Sequence, residues 1–263
     1  MFAFVSGAYT TIQVRRDEGT AWLRLDRQDA GNALDSQTCG ELCDAMTEAA
    51  ADDGVRVVVL AAEGPAFSVA GDMATVLRVG APSLVPPRDG AALLTVMRDL
   101  PRPIVGVVHG ECHSAGMALV AACDLAVASS RARFWMPELK GGLWPAVPMA
   151  ALGRAIGPRR ALEMALLGSP VDARTALGLG LVQKLFEPDQ LEIEAFVIVR
   201  ALAQRSPSAL RLGLPAFRLG LGEELGDGLT RGRSALEAVL ASEDAHEAMA
   251  AYAAQRPPVW KNR

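Results

Sequence analysis

The sequence predicts an α/β fold followed by a C-terminal helical region. Residues 55–62 form a continuous run rich in β-branched residues, which is typical of a strand covered on both faces. Residues 36–51 carry apolar side chains at helical spacing, and strand and helix patterns alternate along the first half of the chain. Such alternation favours parallel strands joined by helical crossovers. From residue 148 onward the pattern is mostly helical.

The first elements are predicted to be a hairpin, a helix and a buried strand. Alternating segments at 11–15 and 20–26 flank the turn signal Asp17-Glu18-Gly19. Asp35 or Ser36 is a natural N-cap for the helix 36–51. Further along, 103–109 and 124–128 are predicted strands on either side of a short helix at 115–122, and the later helices are 188–205, 208–219 and 223–241.

The composition is that of a globular protein. The 263 residues are 51% hydrophobic and 21% charged, enough for one large domain with a substantial core. The net charge is −4, and the sequence has no long blocks of like charge. It therefore lacks the basic patch that binding to nucleic acid or to an anionic membrane requires. Four scattered cysteines form no C-x-x-C motif and are predicted to be free thiols. With no basic leader and no apolar stretch of spanning length, the predicted location is cytoplasmic.

Two turns rich in small residues, 66–73 and 109–117, each follow a strand and precede helix-forming sequence. Small residues let a ligand approach the backbone, and a helix N-terminus offers unpaired N–H groups for negative charge. One such turn alone is more typical of tight packing. Two of them on successive strand–helix units favour a shared anion site.

Several segments, taken in order, resemble the enoyl-CoA hydratase/isomerase (crotonase) family over nearly the whole chain. They are Asp26-Arg27, Asn32-Ala33-Leu34, 66–73, 103–117, Ala122-Cys123-Asp124-Leu125, 134–142 and Arg256-Pro257-Pro258. The resemblance implies a crotonase-like spiral of ββα units over residues 1–200. It also implies that residues 201–263 form a helical region for oligomerisation and for capping CoA.

The family explains the two turns, because its members hold a CoA thioester between two backbone N–H groups that stabilise an enolate. Matching the motifs places these donors at Gly71 and Ala115. The family usually has glycine where this chain has Ala70, Ser114 and Ala115. These replacements narrow the pocket but remove no N–H group.

The acid–base residues depart from the hydratase pattern. Hydratases of the family use two glutamates, and the matching positions here are Ala118 and Glu138. Desolvation of a lone glutamate raises its pKa toward the range a general acid/base needs. One base suits proton transfer between two carbons, so Δ3,Δ2-enoyl-CoA isomerisation is slightly preferred. Glu111 and His113 are candidate replacements for hydration, although loop or packing roles are more typical of such residues.

The resemblance also implies where CoA binds, with coenzyme A as part of the substrate and with neither a separate cofactor nor a metal. Trp144 is a candidate for the acyl pocket. The expected partners are an acyl-CoA and further copies of the chain, as a trimer or a dimer of trimers. The implied CoA-binding residues are Arg27, Ala30, Ala33, Ser68, Ala70, Asp72, Met73, Arg256, Trp260 and Lys261.

Three other functions compete with this interpretation. Ser114 lies in a sharp turn with histidines at 109, 113 and 246 elsewhere, but the serine-hydrolase elbow has glycine where this chain has Cys112. A zinc site at His109, Cys112 and His113 lacks a suitably spaced fourth ligand. Loss of one glutamate is also compatible with an acyl-CoA-binding relative that has no turnover.

Overall fold

The structure, a computed structural model, describes residues 9–69 and 88–263. Within these residues lie ten strands and ten α-helices. The strands are β1 (Ile12–Asp17), β2 (Thr20–Leu25), β3 (Val57–Ala62), β4 (Ala66–Ser68), β5 (Ile104–Val108), β6 (Glu111–His113), β7 (Leu125–Ser129), β8 (Arg133–Trp135), β9 (Val171–Asp172) and β10 (Lys184–Phe186). The helices are α1 (Ser36–Ala51), α2 (Gly90–Asp99), α3 (Ala115–Ala122), α4 (Ala146–Ile156), α5 (Pro158–Leu167), α6 (Ala173–Leu179), α7 (Leu191–Ala203), α8 (Pro207–Gly220), α9 (Leu225–Leu240) and α10 (Glu243–Ala253).

The predicted hairpin is confirmed. β1 and β2 pair antiparallel with Asp17 opposite Thr20, so Glu18 and Gly19 form a two-residue turn. Both turn residues have positive φ, 44° and 83°, which is the conformation that matches the twist of a tight hairpin. Glycine takes this conformation without strain, while Glu18 accepts a modest cost.

A six-stranded sheet in the order β1-β2-β3-β5-β7-β10 forms the centre of the fold, and β2 onward runs parallel. Every residue of β3 is buried, which confirms the prediction of a strand covered on both faces. Val58 and Leu60 pack in the larger core, which also contains α1 side chains such as Met46. Val57 and Val59 point to the opposite face, toward α7. This alternation is the two-residue period of a strand.

Helix α1 has the bounds that the sequence predicts. The Asp35 side chain accepts a hydrogen bond from the Thr38 backbone N–H at 2.8 Å and so caps the first turn. Leu42, Met46 and Ala49 are fully buried on one face of the helix. The local cap and the apolar spacing therefore agree with the tertiary packing.

A second sheet, in the order β4-β6-β8-β9, lies outside the sequence prediction. β4, β6 and β8 run parallel, and β9 is antiparallel to β8. β4 and β6 lie side by side, with Ser68 opposite Cys112. Because parallel strands end at the same edge, the described residues 66–69 of the first turn leave the sheet beside β6, from which the second turn continues.

The C-terminal helices α8, α9 and α10 follow the central sheet. The boundary predicted between residues 200 and 201 falls inside α7, whose last residue, Ala203, still packs in the second core. α9 buries none of its residues within this chain, and its exposed apolar side chains include Leu225, Leu229, Leu236 and Leu240. Across residues 9–69 and 88–263, no helix combines the length and apolarity needed to cross a membrane.

Candidate active site

Residues 26–35 join β2 to α1 and form the first loop, which Asn32 connects to β4. Its side-chain amide donates to the carbonyl oxygens of Glu63 and Ala66, each at 2.8 Å, and its amide oxygen accepts from the Arg27 backbone N–H at 2.8 Å. The Ser68 hydroxyl donates to the Asn32 carbonyl at 2.9 Å. Asn32 is buried and has φ of 56°, a region that asparagine tolerates better than most residues. The loop around Arg27 is thereby held at the carboxyl end of β3 and beside β4.

The second turn enters α3 through a strained residue. Ser114 follows β6 with φ of 50° and ψ of −113°, and its side chain is buried. A residue with a β-carbon in such a conformation costs about 1–3 kcal/mol, whereas glycine adopts it freely. The first N–H groups of α3, beginning with Ala115, have no partner within the helix. The role of Ala115 as an oxyanion donor stays a prediction, which its position at the start of α3 permits.

Glu138 lies directly beside this turn. It follows Pro137 after β8 and begins a 3-10 helix, Glu138–Gly141. The Ser114 hydroxyl donates a hydrogen bond to Glu138 Oε1, although the two residues are 24 positions apart. Glu138 Oε2 is buried and has no hydrogen-bond partner among the described residues. An unpaired buried carboxylate oxygen is costly, so it requires an explanation such as a catalytic role or a bound water molecule.

The two candidate replacements for the second glutamate lie on one face of β6. Glu111 is largely exposed, and its carboxylate is 3.5 Å from His113 Nε2, which is too long for a firm hydrogen bond. The His113 ring packs against Trp135, with 3.4 Å between centroids. Burial lowers the pKa of His113, and the nearby Glu111 acts in the opposite direction. Ala118, at the position of the missing glutamate, is buried in α3.

Gly71, the first predicted oxyanion donor, lies outside the described residues, as do Ala70, Asp72 and Met73. Ser68, the member of this group that the structure describes, ends β4 next to α3. The roles of all five residues stay predictions.

The first loop borders a surface hollow of about 480 Å³ that Arg27 and Ala30 help to line. Arg27 Nη1 contacts the Ala33 carbonyl at 3.0 Å and Asp35 Oδ2 at 2.8 Å. The hollow also has two aspartates in its wall, Asp26 and Asp29. A phosphate bound here would therefore depend mainly on backbone donors and on the single guanidinium.

The C-terminal residues are not brought to this site within one chain. Arg256 is paired with Glu247 at 2.6 and 3.0 Å, and the Trp260 indole donates to the Gln204 carbonyl at 2.7 Å. Asn262, next to Lys261, contacts Asp53 at 3.0 Å. Asp53 precedes β3, so the tail lies at the amino end of a six-residue strand that is about 17 Å long. The site lies beyond the opposite end.

Trp144 is 52% exposed, so within this chain it does not form a buried wall of an acyl pocket. No group of three or more potential metal ligands occurs within residues 9–69 and 88–263.

Reasoning from sequence missed the two side-chain contacts that organise the site. Asn32 belongs to a motif of the family, but the sequence does not predict the hydrogen bonds that its side chain makes to Arg27, Glu63 and Ala66. A single buried amide leaves no periodic pattern in the sequence. One feature of the sequence could have indicated the hydrogen bond from Ser114 to Glu138. It is the presence of serine at a position where the family usually has glycine.

Known proteins similar to this chain belong to one family. The family model described as Enoyl-CoA hydratase/isomerase matches residues 15–263. Enoyl-CoA hydratase domain-containing protein 3, mitochondrial, of Rattus norvegicus is 32% identical over 256 residues, covering 94% of this chain and 83% of the rat protein.

Two solved structures show the same fold. An enoyl-CoA hydratase/isomerase from Mycobacterium paratuberculosis has a TM-score of 0.90 at 31% identity, covering 97% of this chain and 100% of that one. An enoyl-CoA hydratase from Mycobacterium smegmatis has a TM-score of 0.87 at 31% identity, covering 95% and 99%. The α/β fold is therefore the crotonase fold that the sequence predicts, and the chain belongs to the enoyl-CoA hydratase/isomerase family.

Proposed function

We propose that the protein is a Δ3,Δ2-enoyl-CoA isomerase in which Glu138 is the single acid/base. The observation that carries this proposal is the state of the Glu138 carboxylate. Oε1 accepts a hydrogen bond from Ser114, while Oε2 is buried and has no partner among the described residues. One oxygen is thus held and the other is left to exchange a proton.

The reaction requires two proton transfers at one face of the substrate. Glu138 takes a proton from C2 of a 3-enoyl-CoA, which gives a dienolate, and returns it to C4 to form the 2-enoyl product. Charge that develops on the thioester oxygen is stabilised by the N–H groups proposed as donors, that of Ala115 at the start of α3 and that of Gly71. Loss of one such donor costs about 10²–10³ in rate in well-studied enzymes.

The second position of the hydratase pair supports isomerisation over hydration. Ala118 has no carboxylate to hold a water molecule, and Glu111 is mostly exposed on β6. Hydration is the second candidate, because solved relatives are named enoyl-CoA hydratases. It would require another group to orient the water.

The proposal includes CoA as part of the substrate and no separate cofactor. The first loop, with Arg27, Ala30 and Ala33, is the proposed CoA cradle, together with residues 68–73. Arg256, Trp260 and Lys261 lie far from Glu138 within one chain, so any contact with CoA would be made across a subunit boundary. The exposed leucines of α9 are consistent with assembly into a trimer or a dimer of trimers. The cytoplasmic location stays a prediction, and the rat relative has a mitochondrial name.

The experiment uses 3-enoyl-CoA and 2-enoyl-CoA in deuterated water with mass detection of the products. Isomerisation predicts a shifted double bond, with deuterium at C4 wherever Glu138 exchanges its proton with the solvent before it protonates the dienolate. Water addition to 2-enoyl-CoA would instead show a hydratase. Glu138→Gln should lower the rate by about 10²–10⁴ while the CoA ester still binds. Glu163→Gln, an exposed change of the same type on α5, is the matched control. If the wild type converts neither ester but binds both, the protein is an acyl-CoA-binding relative.

A further inference from the structure

We propose that Ser114 is a nucleophile that accepts the acyl group from a CoA thioester, which gives this site a thioesterase activity. The inference shares with the proposed function the binding of a CoA thioester, and it adds a second reaction for the bound ester. It starts from the backbone of Ser114, whose φ of 50° and ψ of −113° lie in a strand-to-helix turn between β6 and α3. Strain of this kind persists where the surrounding structure enforces it, typically at functional sites.

This backbone is the one a nucleophile elbow uses. A sharp, strained turn between a strand and a helix holds a serine hydroxyl clear of the backbone, where a carbonyl carbon can approach it. The elbow has small residues two positions before and after the serine. Gly116 satisfies the second position, and its missing β-carbon lets α3 approach Ser68. Cys112 occupies the first, and its side chain is fully buried in the core, so it does not obstruct the turn.

Glu138, the proposed base, is hydrogen-bonded to the Ser114 hydroxyl. The Ser114 hydroxyl donates to Glu138 Oε1, which is the relation that activates a serine for attack. No histidine takes this place among the described residues. His109 Nε2 contacts the Gly64 carbonyl at 2.8 Å, and the His113 ring packs against Trp135. The dyad is therefore a serine with a carboxylate.

An oxyanion donor is also present. In a nucleophile elbow, the N–H of the residue directly after the serine binds the oxyanion of the tetrahedral intermediate. That residue is Ala115, the first residue of α3. The same N–H that holds an enolate oxygen would thus hold the thioester oxygen during attack by Ser114.

The reaction balances with water as its second substrate. The Ser114 hydroxyl proton passes to Glu138 while Oγ bonds to the thioester carbonyl carbon. The C–S bond then breaks, the sulfur of CoA takes the proton from Glu138, and the acyl group stays on Ser114 as an ester. A water molecule next gives a proton to Glu138 and attacks the ester carbon. The bond to Oγ breaks, Oγ takes back the proton, and a carboxylic acid is released.

The test uses the full chain with a saturated acyl-CoA, butyryl-CoA or octanoyl-CoA, which has no double bond to move. Release of the CoA thiol is followed with a thiol reagent, and the intact protein and its peptides are weighed after rapid acid quenching. We expect CoA release and an acyl adduct on the peptide that contains Ser114. Ser114→Ala should remove the adduct and lower CoA release at least about 100-fold.

Two variants control for folding and for chemistry. Ser114→Cys keeps a nucleophile in the turn and should give an acyl adduct as a thioester. Ser130→Ala removes an exposed serine that donates to the Glu187 carboxylate at 3.1 Å, and it should leave CoA release as in the wild type. Each variant is compared with the wild type by circular dichroism.

The inference is overturned if the wild type neither releases CoA nor forms an adduct, or if folded Ser114→Ala still does both. Conversion of 3-enoyl-CoA to 2-enoyl-CoA in the same preparations separates this result from the proposed function. Conversion without CoA release excludes the thioesterase and leaves the isomerase. An acyl adduct on Ser114 without conversion excludes the isomerase and leaves the thioesterase.

Discussion

Gly116 of α3 lies against Ser68 of β4 so closely that a β-carbon on Gly116 would be 2.7 Å from the Ser68 carbonyl oxygen and 2.8 Å from its Cβ. The backbone oxygen has little freedom to yield, because β4 is paired with β6. The contact sets the distance between the strand that leads to the first proposed oxyanion donor and the helix that begins with the second. The close packing of α3 against β4 thus depends on the absence of a β-carbon at residue 116.

Gly116→Ala should therefore reduce both stability and turnover. We expect a loss of about 1–3 kcal/mol in the free energy of unfolding, as for other overpacked sites. A displaced Ala115 N–H should lower kcat as well. Urea unfolding and steady-state kinetics measure the two effects. Gly153→Ala in α4 is the matched control, since a β-carbon added at Gly153 would meet no atom within 4 Å and alanine favours a helix. Equal stability of Gly116→Ala and the wild type would contradict the close contact.

Asn32→Ala should destabilise the protein by about 2–4 kcal/mol, because two buried carbonyl oxygens and one N–H lose their partner. Asn262→Ala is a control with similar backbone geometry, as its φ is 60° and its amide contacts Asp53 near the surface. That change should cost less than about 1 kcal/mol. Thermal and urea unfolding give the comparison, and similar losses in both variants would refute the role of Asn32 as a clamp.

Arg218 is expected to be the most sensitive charged residue of the C-terminal helices. Its guanidinium is buried, donates to both carboxylate oxygens of Asp124 at 2.9 and 2.5 Å, and reaches backbone carbonyls between Met97 and Arg102. Arg218→Met should cost about 3–5 kcal/mol, since it leaves the mostly buried Asp124 carboxylate without its charged partner.

The exposed pair Arg98 and Asp99 provides the control for this change. Arg98→Met should alter stability by less than about 1 kcal/mol, as is usual for surface ion pairs. A loss of the same size in both variants, measured by urea unfolding, would show that burial of Arg218 is not what matters.

Glu41 should make stability depend on pH in the acid range. Burial alone would raise its pKa, but hydrogen bonds from the backbone and hydroxyl groups of Thr10 and Thr11 lower that pKa to about 2. Because the folded pKa lies below the usual value of 4.5, the stabilisation is complete above pH 4.5 and is lost as pH falls toward 2.

After allowance for solvent screening, this stabilisation is about 1–2 kcal/mol. Urea unfolding of the wild type and of Glu41→Gln between pH 7 and about pH 2 measures it. The two curves should converge at low pH, and parallel curves would exclude Glu41 as the source.

Much of the fold could be predicted from the chain itself. α1 has its predicted bounds because the Asp35 cap and the apolar spacing are local signals. β3 was recognisable because a strand buried on both faces has few polar residues. The second sheet was missed because β4, β6 and β8 have only three residues each, too few to show a period.

The sequence by itself determined the family, the two turns, the position of Glu138 and the absence of a glutamate at Ala118, since motif spacing and residue type are properties of the chain. Only the tertiary structure decided that Ser114 is hydrogen-bonded to Glu138. It also decided that the tail with Arg256 lies at the amino end of β3, away from Glu138. The physical reason is that side-chain hydrogen bonds depend on the directions that packed strands and helices impose. Those directions bring together residues that no local pattern connects.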